Sequence, residues 1–284
     1  MCESCGCGNV KVSVKGGRKL KIPAGYHVHE DGSMHAHHDG AAATHHHHDG
    51  KHHSHEHGDL HHEHHEAGRR RVVELEKKIL EKNDIAAEQN RGLFLKRRIA
   101  VVNIISSPGS GKTMLLEKTL DRLKGRIPCA VITGDVQTDN DARRLKGRGA
   151  KVHQIETLSS CHLNAQQISK SLKDVIDSKT RILFIENVGN LVCPAAFDLG
   201  EDFKIALLSV PEGEDKPVKY PVIFSSAKLV IITKTDLLPH LECDVRKMRR
   251  YIRQINPGVF IFELSAKTGE GMDAWIDYLE KLIE

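Results

Sequence analysis

Ser106-Ser107-Pro108-Gly109-Ser110-Gly111-Lys112-Thr113 lies between a run of apolar residues and a run with helical periodicity. It follows the pattern G-x-x-x-x-G-K-[ST], with Ser106 where the first Gly would stand. Small residues such as Ser107, Gly109, Ser110 and Gly111 let backbone N–H groups converge on phosphates, and the following helix N-terminus adds partial positive charge. In that pattern Lys112 reaches the β- and γ-phosphates and the Thr113 hydroxyl binds Mg(II). Ser in place of Gly is a small departure, because Ser forms tight turns too, though less freely at positive φ.

Further along, Thr233-Lys234-Thr235-Asp236 follows the apolar run Leu229–Ile232 and resembles the N-K-x-D element of GTPases, with Thr for Asn. A carboxylate at Asp236 accepts from guanine N1–H and N2–H together, whereas adenine offers no such donor pair. A site of that kind discriminates by roughly 10⁴-fold. The stem of Lys234 is expected over the base plane, and Ser265-Ala266-Lys267 resembles a second guanine-contacting loop. Two carboxylates stand between these motifs. Asp135 follows a predicted strand, and Glu186 opens Glu186-Asn187-Val188-Gly189, like a D-x-x-G switch with Glu for Asp. At the strand C-termini of an open α/β sheet such groups face the ligand crevice. There they serve as Mg(II) or water ligands, since phosphoryl transfer needs charge neutralisation and an oriented nucleophile. The alternative is a loop carboxylate capping a helix, which is the role read for Asp139.

Three groups of residues have the chemistry of metal ligands. Cys2, Cys5 and Cys7, with Gly6 easing the turn, bring three thiols within six residues. Thiolates suit Zn(II), Cu(I) or Ni(II), and a disulfide is the alternative. Seventeen of the 20 histidines fall between His27 and His65, scattered among Asp, Glu, Gly and Ala. Imidazoles in such a tract bind late transition metals without a preformed cage. Cys161-His162, just before a predicted helix, and Cys193, seven residues after Glu186, would tie metal occupancy to the switch if they met. The competing reading is that each Cys is a small core residue. Cys129 and Cys243 have no such neighbours and read as structural.

The elements that must position these groups are legible from composition and periodicity. The 284 residues carry 42 Lys+Arg and 38 Asp+Glu, a net charge of +4. Residues 1–68 hold six of the cations and nine of the acids, a net of −3, which leaves +7 for the remainder. That is mild for a nucleic-acid binder, so no nucleic-acid partner is expected. There is no run of about 18 apolar residues and no signal-peptide core, so no membrane partner and a cytoplasmic location are expected. Residues 1–68 are too polar and Gly- and His-rich to repay ordering entropy, so they read as a disordered metal-binding tail. Residues 69–98 read as a helical lead-in, with Val72, Leu75, Ile79 and Ala86 at helical spacing and Gly92 as the expected stop. Residues 99–284 read as the nucleotide-binding domain. Strands are predicted at 99–105, 129–133, 152–155, 181–186, 204–210, 228–233 and 259–264. Helices are predicted at 112–124, 139–147, 162–176, 243–255 and 272–283. The alternation implies an α/β fold with a mostly parallel central sheet between helices, of the P-loop type.

Taken together, these motifs resemble the HypB family of GTPases, which help insert nickel into [NiFe] hydrogenase. The resemblance runs over residues 1–7 and 69–284. It is carried by the Cys2–Cys7 thiols, Ser106–Thr113, Gly134-Asp135, Ser160-Cys161-His162-Leu163, Glu212–Pro217 and, most specifically, Glu186-Asn187-Val188-Gly189-Asn190-Leu191-Val192-Cys193-Pro194. It implies the fold of the dimerising P-loop class that includes nitrogenase iron protein and UreG, with GTP and GDP as nucleotides. It also implies a nickel or zinc site at Cys161, His162 and Cys193 shared across a homodimer, and in some members a second nickel site at the N-terminal thiols. A zinc-containing nickel chaperone, HypA, and the hydrogenase large-subunit precursor are the implied partners. Nickel storage and a urease-type insertion factor are the rival readings, and the latter leaves the N-terminal thiols unexplained.

Overall fold

The structure, a computed structural model, describes residues 26–28, 34–36, 60–135, 140–157 and 160–284, with side chains for Glu74 and from Lys77 onward. Cys2, Cys5, Cys7, Asp139 and most of the His tract lie outside the described residues. The chain divides into a unit of residues 8–68 and one that holds Arg69–Glu284. In the first, strands β1 (Tyr26–Val28) and β2 (Met34–Ala36) pair antiparallel, inside the stretch read as a disordered tail. Asp31-Gly32 between them is a hairpin signal in the sequence that composition alone passes over.

Helix α1 spans Leu60–Arg97, beginning nine residues before the expected start and continuing through Gly92. A Gly inside a helix costs about 1 kcal/mol relative to Ala. Here packing on the far side outweighs it: Phe94, one half-turn later, is 2% exposed in the core, and the Asn90 amide donates to Ala165 O (2.9 Å) and Leu199 O (3.1 Å). The C-terminal half of α1 is therefore part of the sheet domain.

Seven strands follow, all parallel: β3 (Ala100–Ser106), β4 (Cys129–Asp135), β5 (Lys151–Glu156), β6 (Ile182–Glu186), β7 (Phe203–Ser209), β8 (Leu229–Thr233) and β9 (Phe260–Glu263). They lie in the order β5-β4-β6-β3-β7-β8-β9, each within a few residues of its expected position. The near-continuous apolar runs of β3, β6 and β8 follow from burial on both faces. Between the strands run α2 (Lys112–Leu123), α3 (Asn140–Leu145), α4 (Ala165–Val175), α5 (Cys193–Ala196), α6 (Lys216–Lys219), α7 (Pro221–Ser226) and α8 (Val245–Ile255), and α9 (Met272–Leu282) follows the last strand. Helix α4 starts three residues later than expected, because Asn164 caps it: its side chain accepts from Gln167 N (2.9 Å) while Gln167 returns a bond to Asn164 N (2.9 Å). Helices α5, α6 and α7 are too short to show a period, and sequence analysis missed them.

Helices α2 and α9 cover one stretch of the sheet, with Leu115, Leu116, Trp275 and Leu279 in a common core. The other face takes α4 and the end of α1 through Ile168, Leu172 and Phe94, and α7 and α8 cover β7 and β8 through Phe224, Met248 and Ile252. The winding leaves β3 for β4, β5 and β6 on one side, then crosses to β7–β9 on the other. The C-terminal ends of β3 and β6, neighbours in the sheet, thus meet at the point where ligands of such sheets bind.

Candidate functional site

A cavity of about 700 Å³ opens over these strand ends. The phosphate loop, the ends of β4 and β6, and the loops after β8 and β9 line it. Gly109 and Gly111 take positive φ (74° and 97°), a conformation open to Gly at little cost. Ser106 does not: it ends β3, and its hydroxyl accepts from Lys112 Nζ (3.0 Å) and donates to Ser107 O (2.7 Å). The missing first Gly is therefore no strain, since that position is ordinary strand. Burial pushes the Lys112 ammonium below its ordinary value, opposed by Glu186 and other carboxylates around it.

Thr113 Oγ1 donates to Glu186 Oε1 at 2.7 Å. The second carboxylate oxygen of Glu186 is buried with no hydrogen-bond partner among the described residues. Burial raises Glu186 to about 7, against the pull of Thr113 and Lys112. Asp135 lines the same cavity, at the end of β4. So do Lys234, Asp236, Ala266 and Lys267. Lys234 is held at φ 61° with its ammonium on Gly109 O (2.7 Å), which lays its stem along the phosphate loop. Ser265 is fully buried and donates to Asp236 Oδ1 (2.6 Å), so it orients that carboxylate.

Three lining or supporting residues had no role assigned from the sequence. Glu212, after β7, accepts from the hydroxyls of Ser107 and Ser110 (2.8 Å for the latter) and from the amide and hydroxyl of Ser209 (2.8 Å each). It therefore grips the outside of the phosphate loop, and the Ser107 and Ser110 hydroxyls point to it. Asp141 and Arg144 on α3 face the cavity, with Arg144 bonded to Glu117 (2.5 Å). Glu212 stands in the Glu212–Pro217 stretch that carries the family resemblance and closes a local capping box with Ser209, but its grip on the phosphate loop, like the placing of Asp141 and Arg144, arises only when distant elements lie side by side.

Cys161, His162 and Cys193 converge: their ligand atoms all lie within 4.8 Å of one another. The two thiols are 2.8 Å apart, Cys161 Sγ is 3.7 Å from His162 Nδ1, and the Asn190 amide points to Cys193 Sγ (3.6 Å). His162 stacks on Phe197 with centroids 3.8 Å apart, and burial lowers its pKa, which favours the neutral, ligating imidazole. Cys129, in contrast, is pushed up to about 12 by burial in β4 and stays a protonated core thiol.

Residues 100–263 match the family model described as CobW/HypB/UreG, nucleotide-binding domain. The hydrogenase maturation factor HypB of Escherichia coli K12 is 52% identical over 212 residues, which cover 75% of this chain and 73% of that protein. The chain belongs to the HypB family. Two solved HypB structures share its fold at 40% identity. That of the Helicobacter pylori protein in complex with nickel covers 71% of this chain and 95% of that one, with a TM-score of 0.67. That of the Archaeoglobus fulgidus protein covers 72% and 100%, with a TM-score of 0.68. In this HypB family member the nucleotide-binding motifs and the thiol cluster thus sit in one domain, on adjacent loops. Among the described residues no helix is long and apolar enough to cross a membrane.

Proposed function

We propose that this protein hydrolyses GTP and uses the nucleotide state to bind and release nickel destined for a [NiFe] hydrogenase precursor. The observation that carries this reading is the segment from Glu186 to Cys193: it begins at a carboxylate bonded to Thr113 of the phosphate loop and ends at a thiol of the Cys161-His162-Cys193 cluster.

The orphaned Glu186 Oε2 beside Thr113 Oγ1 suits a hard cation, so Thr113 and Glu186, with Asp135 nearby, would hold Mg(II). When bound, Mg(II) neutralises phosphate charge. Lys112 holds the β- and γ-phosphates, with the backbone from Ser107 to Gly111 around them. Asp236, oriented by Ser265, reads guanine, and Lys234, Ala266 and Lys267 wall the base. Ni(II), or Zn(II) in its place, is the cargo of the two thiolates and the imidazole. These ligands bind deprotonated, so affinity rises with pH.

A GTP-switched metallochaperone of this kind works as a homodimer in the cytoplasm, receiving nickel from a HypA-like chaperone. Residues 1–68 serve as a metal-binding tail, residues 69–98 as a helical lead-in and residues 99–284 as the GTPase domain. A second role, nickel storage, is favoured by the 17 histidines between His27 and His65 and is compatible with the first.

The test is nickel affinity in the GDP and non-hydrolysable GTP-analogue forms of the full chain with Cys2, Cys5 and Cys7 replaced by Ala. Thiolate-to-nickel absorption isolates the remaining cluster from the imidazole-only tail. The expected difference is several-fold, about 1 kcal/mol of coupling, with nickel shifting nucleotide affinity by the same factor. Equal affinities leave storage as the better reading.

A further inference from the structure

Both segments that carry the thiol cluster hang on one buried chain of polar groups. Asn187, 1% exposed, directly follows Glu186, and its Oδ1 accepts from Leu163 N (3.1 Å), the amide next to His162, and from Val188 N (3.0 Å). Its Nδ2 donates to Asn103 Oδ1 (3.3 Å) in the middle of β3, and Asn103 Nδ2 donates to Glu201 Oε1 (3.1 Å). Glu201 also accepts from Leu199 N (2.6 Å) and pairs with Lys204 at 3.6 Å. Lys204 Nζ in turn donates to Ala195 O (3.0 Å) in α5, the helix that begins with Cys193. Both asparagines and Glu201 are buried, so each lost bond leaves an unpaired polar group in an apolar interior. Gly134 closes the frame: a Cβ there would meet the Leu163 side chain at 2.8 Å, so the metal-side loop is packed hard against the end of β4.

We infer that Asn187 is the positioning residue through which the state of the nucleotide site reaches the thiol cluster, with Asn103, Glu201 and Lys204 setting the distance between its two halves. The inference rests on the GTP-switched nickel reading above and names the side chain that would transmit it. Glu186 cannot shift toward or away from a phosphate without moving the residue bonded to it, and Asn187 holds the amide beside His162. A displacement of either end is passed on because the interior around the chain is close-packed and offers no slack.

The experiment measures Ni(II) affinity by thiolate absorption against a chelator that sets free nickel. It uses the full chain carrying Cys2→Ala, Cys5→Ala and Cys7→Ala, in GDP and GTP-analogue forms, with and without Asn187→Ala. The expected result is a several-fold ratio between the two forms that falls to within about twofold in Asn187→Ala, with the nickel–thiolate band retained. Asn103→Ala, which keeps the Asn187–Leu163 bond but cuts the chain to Glu201, should lower the ratio as well and serves if Asn187→Ala does not fold. A role in stability alone would lower the melting temperature and leave the ratio intact. An undiminished ratio in the folded variants overturns the assignment to Asn187 and leaves the nickel switch standing. No ratio in the unsubstituted protein overturns both.

Discussion

At the scale of single residues, the site turns on a carboxylate held where water scarcely reaches it. Glu186 titrates near 7 because burial outweighs the help of Thr113 and Lys112. The folded protein keeps its proton above the ordinary value of 4.5, where the unfolded chain has released it. The stability from this group is therefore complete below that ordinary value and is lost as pH rises through about 7. Glu186→Gln removes the penalty: thermal unfolding of the nucleotide-free variant at pH 8 should come about 2–4 °C higher for each kcal/mol regained, with little change at pH 4. The same substitution should suppress GTP turnover. In the parent protein kcat/KM for GTP should climb with pH to a plateau above about 7, since the ionised carboxylate is the working form. A pH-independent kcat/KM would remove Glu186 from the chemistry. At the other end of the cavity, Asp236→Asn should erode the preference for GTP by up to roughly 10⁴-fold and raise that for xanthosine triphosphate, measured by competition binding. The placing of Asp236 in the cavity was legible because its motif is contiguous; the bonds of Glu212 to the phosphate loop were not, because Ser107 and Ser110 lie more than a hundred residues away.

At the scale of elements, α1 belongs to the nucleotide-binding domain more fully than its lead-in position suggests. Asn83 bonds Asp198 O (2.7 Å) and Ala165 N (2.9 Å), and Arg91 bonds Asp198 (2.5 Å) and Glu201 O (2.9 Å). These contacts fasten the helix to the loop before β7 and to the start of α4. Gly200, at φ 89°, allows the approach: a Cβ there would meet Ala87 O at 2.6 Å and Asn90 Cβ at 2.8 Å. Gly200→Ala should therefore destabilise by more than the ~1 kcal/mol of an unfavourable φ alone, since helix and loop must part. Phe94→Ala should cost about 3–5 kcal/mol, read by urea unfolding, as expected for a buried aromatic side chain. If α1 were a loose linker, both changes would be silent. Gly92 misled the sequence reading for a related reason: local propensity is worth about 1 kcal/mol, and a helix face with Asn90 and Phe94 buried outweighs it.

At the scale of the whole molecule, the proposed function makes the polar N-terminal stretch and the sheet domain separable. Removing residues 27–65 should cut nickel stoichiometry sharply and leave GTP turnover and the melting temperature of the sheet domain within a degree or two, because the contacts that fasten α1 run from Asn83 to Phe94. A larger thermal shift would mean that the tail supports the core. The amino-acid sequence by itself determined the fold class and the seven strands, and it supplied the phosphate-loop and guanine-type motifs on which the proposed function rests. Each depends on neighbours along the chain: the glycines at 109 and 111 just before α2, and the apolar runs of strands covered on both faces. It also offered Cys161, His162 and Cys193 as candidates, without showing that they meet. That meeting, the grip of Glu212 on the phosphate loop and the buried line from Asn187 to Lys204 were decided only by the tertiary structure. They bring together residues as far as 105 positions apart and depend on β6 lying between β4 and β3 in the sheet. Strand order is set by how the whole set of helices covers the two sheet faces, and no local stretch of sequence encodes it.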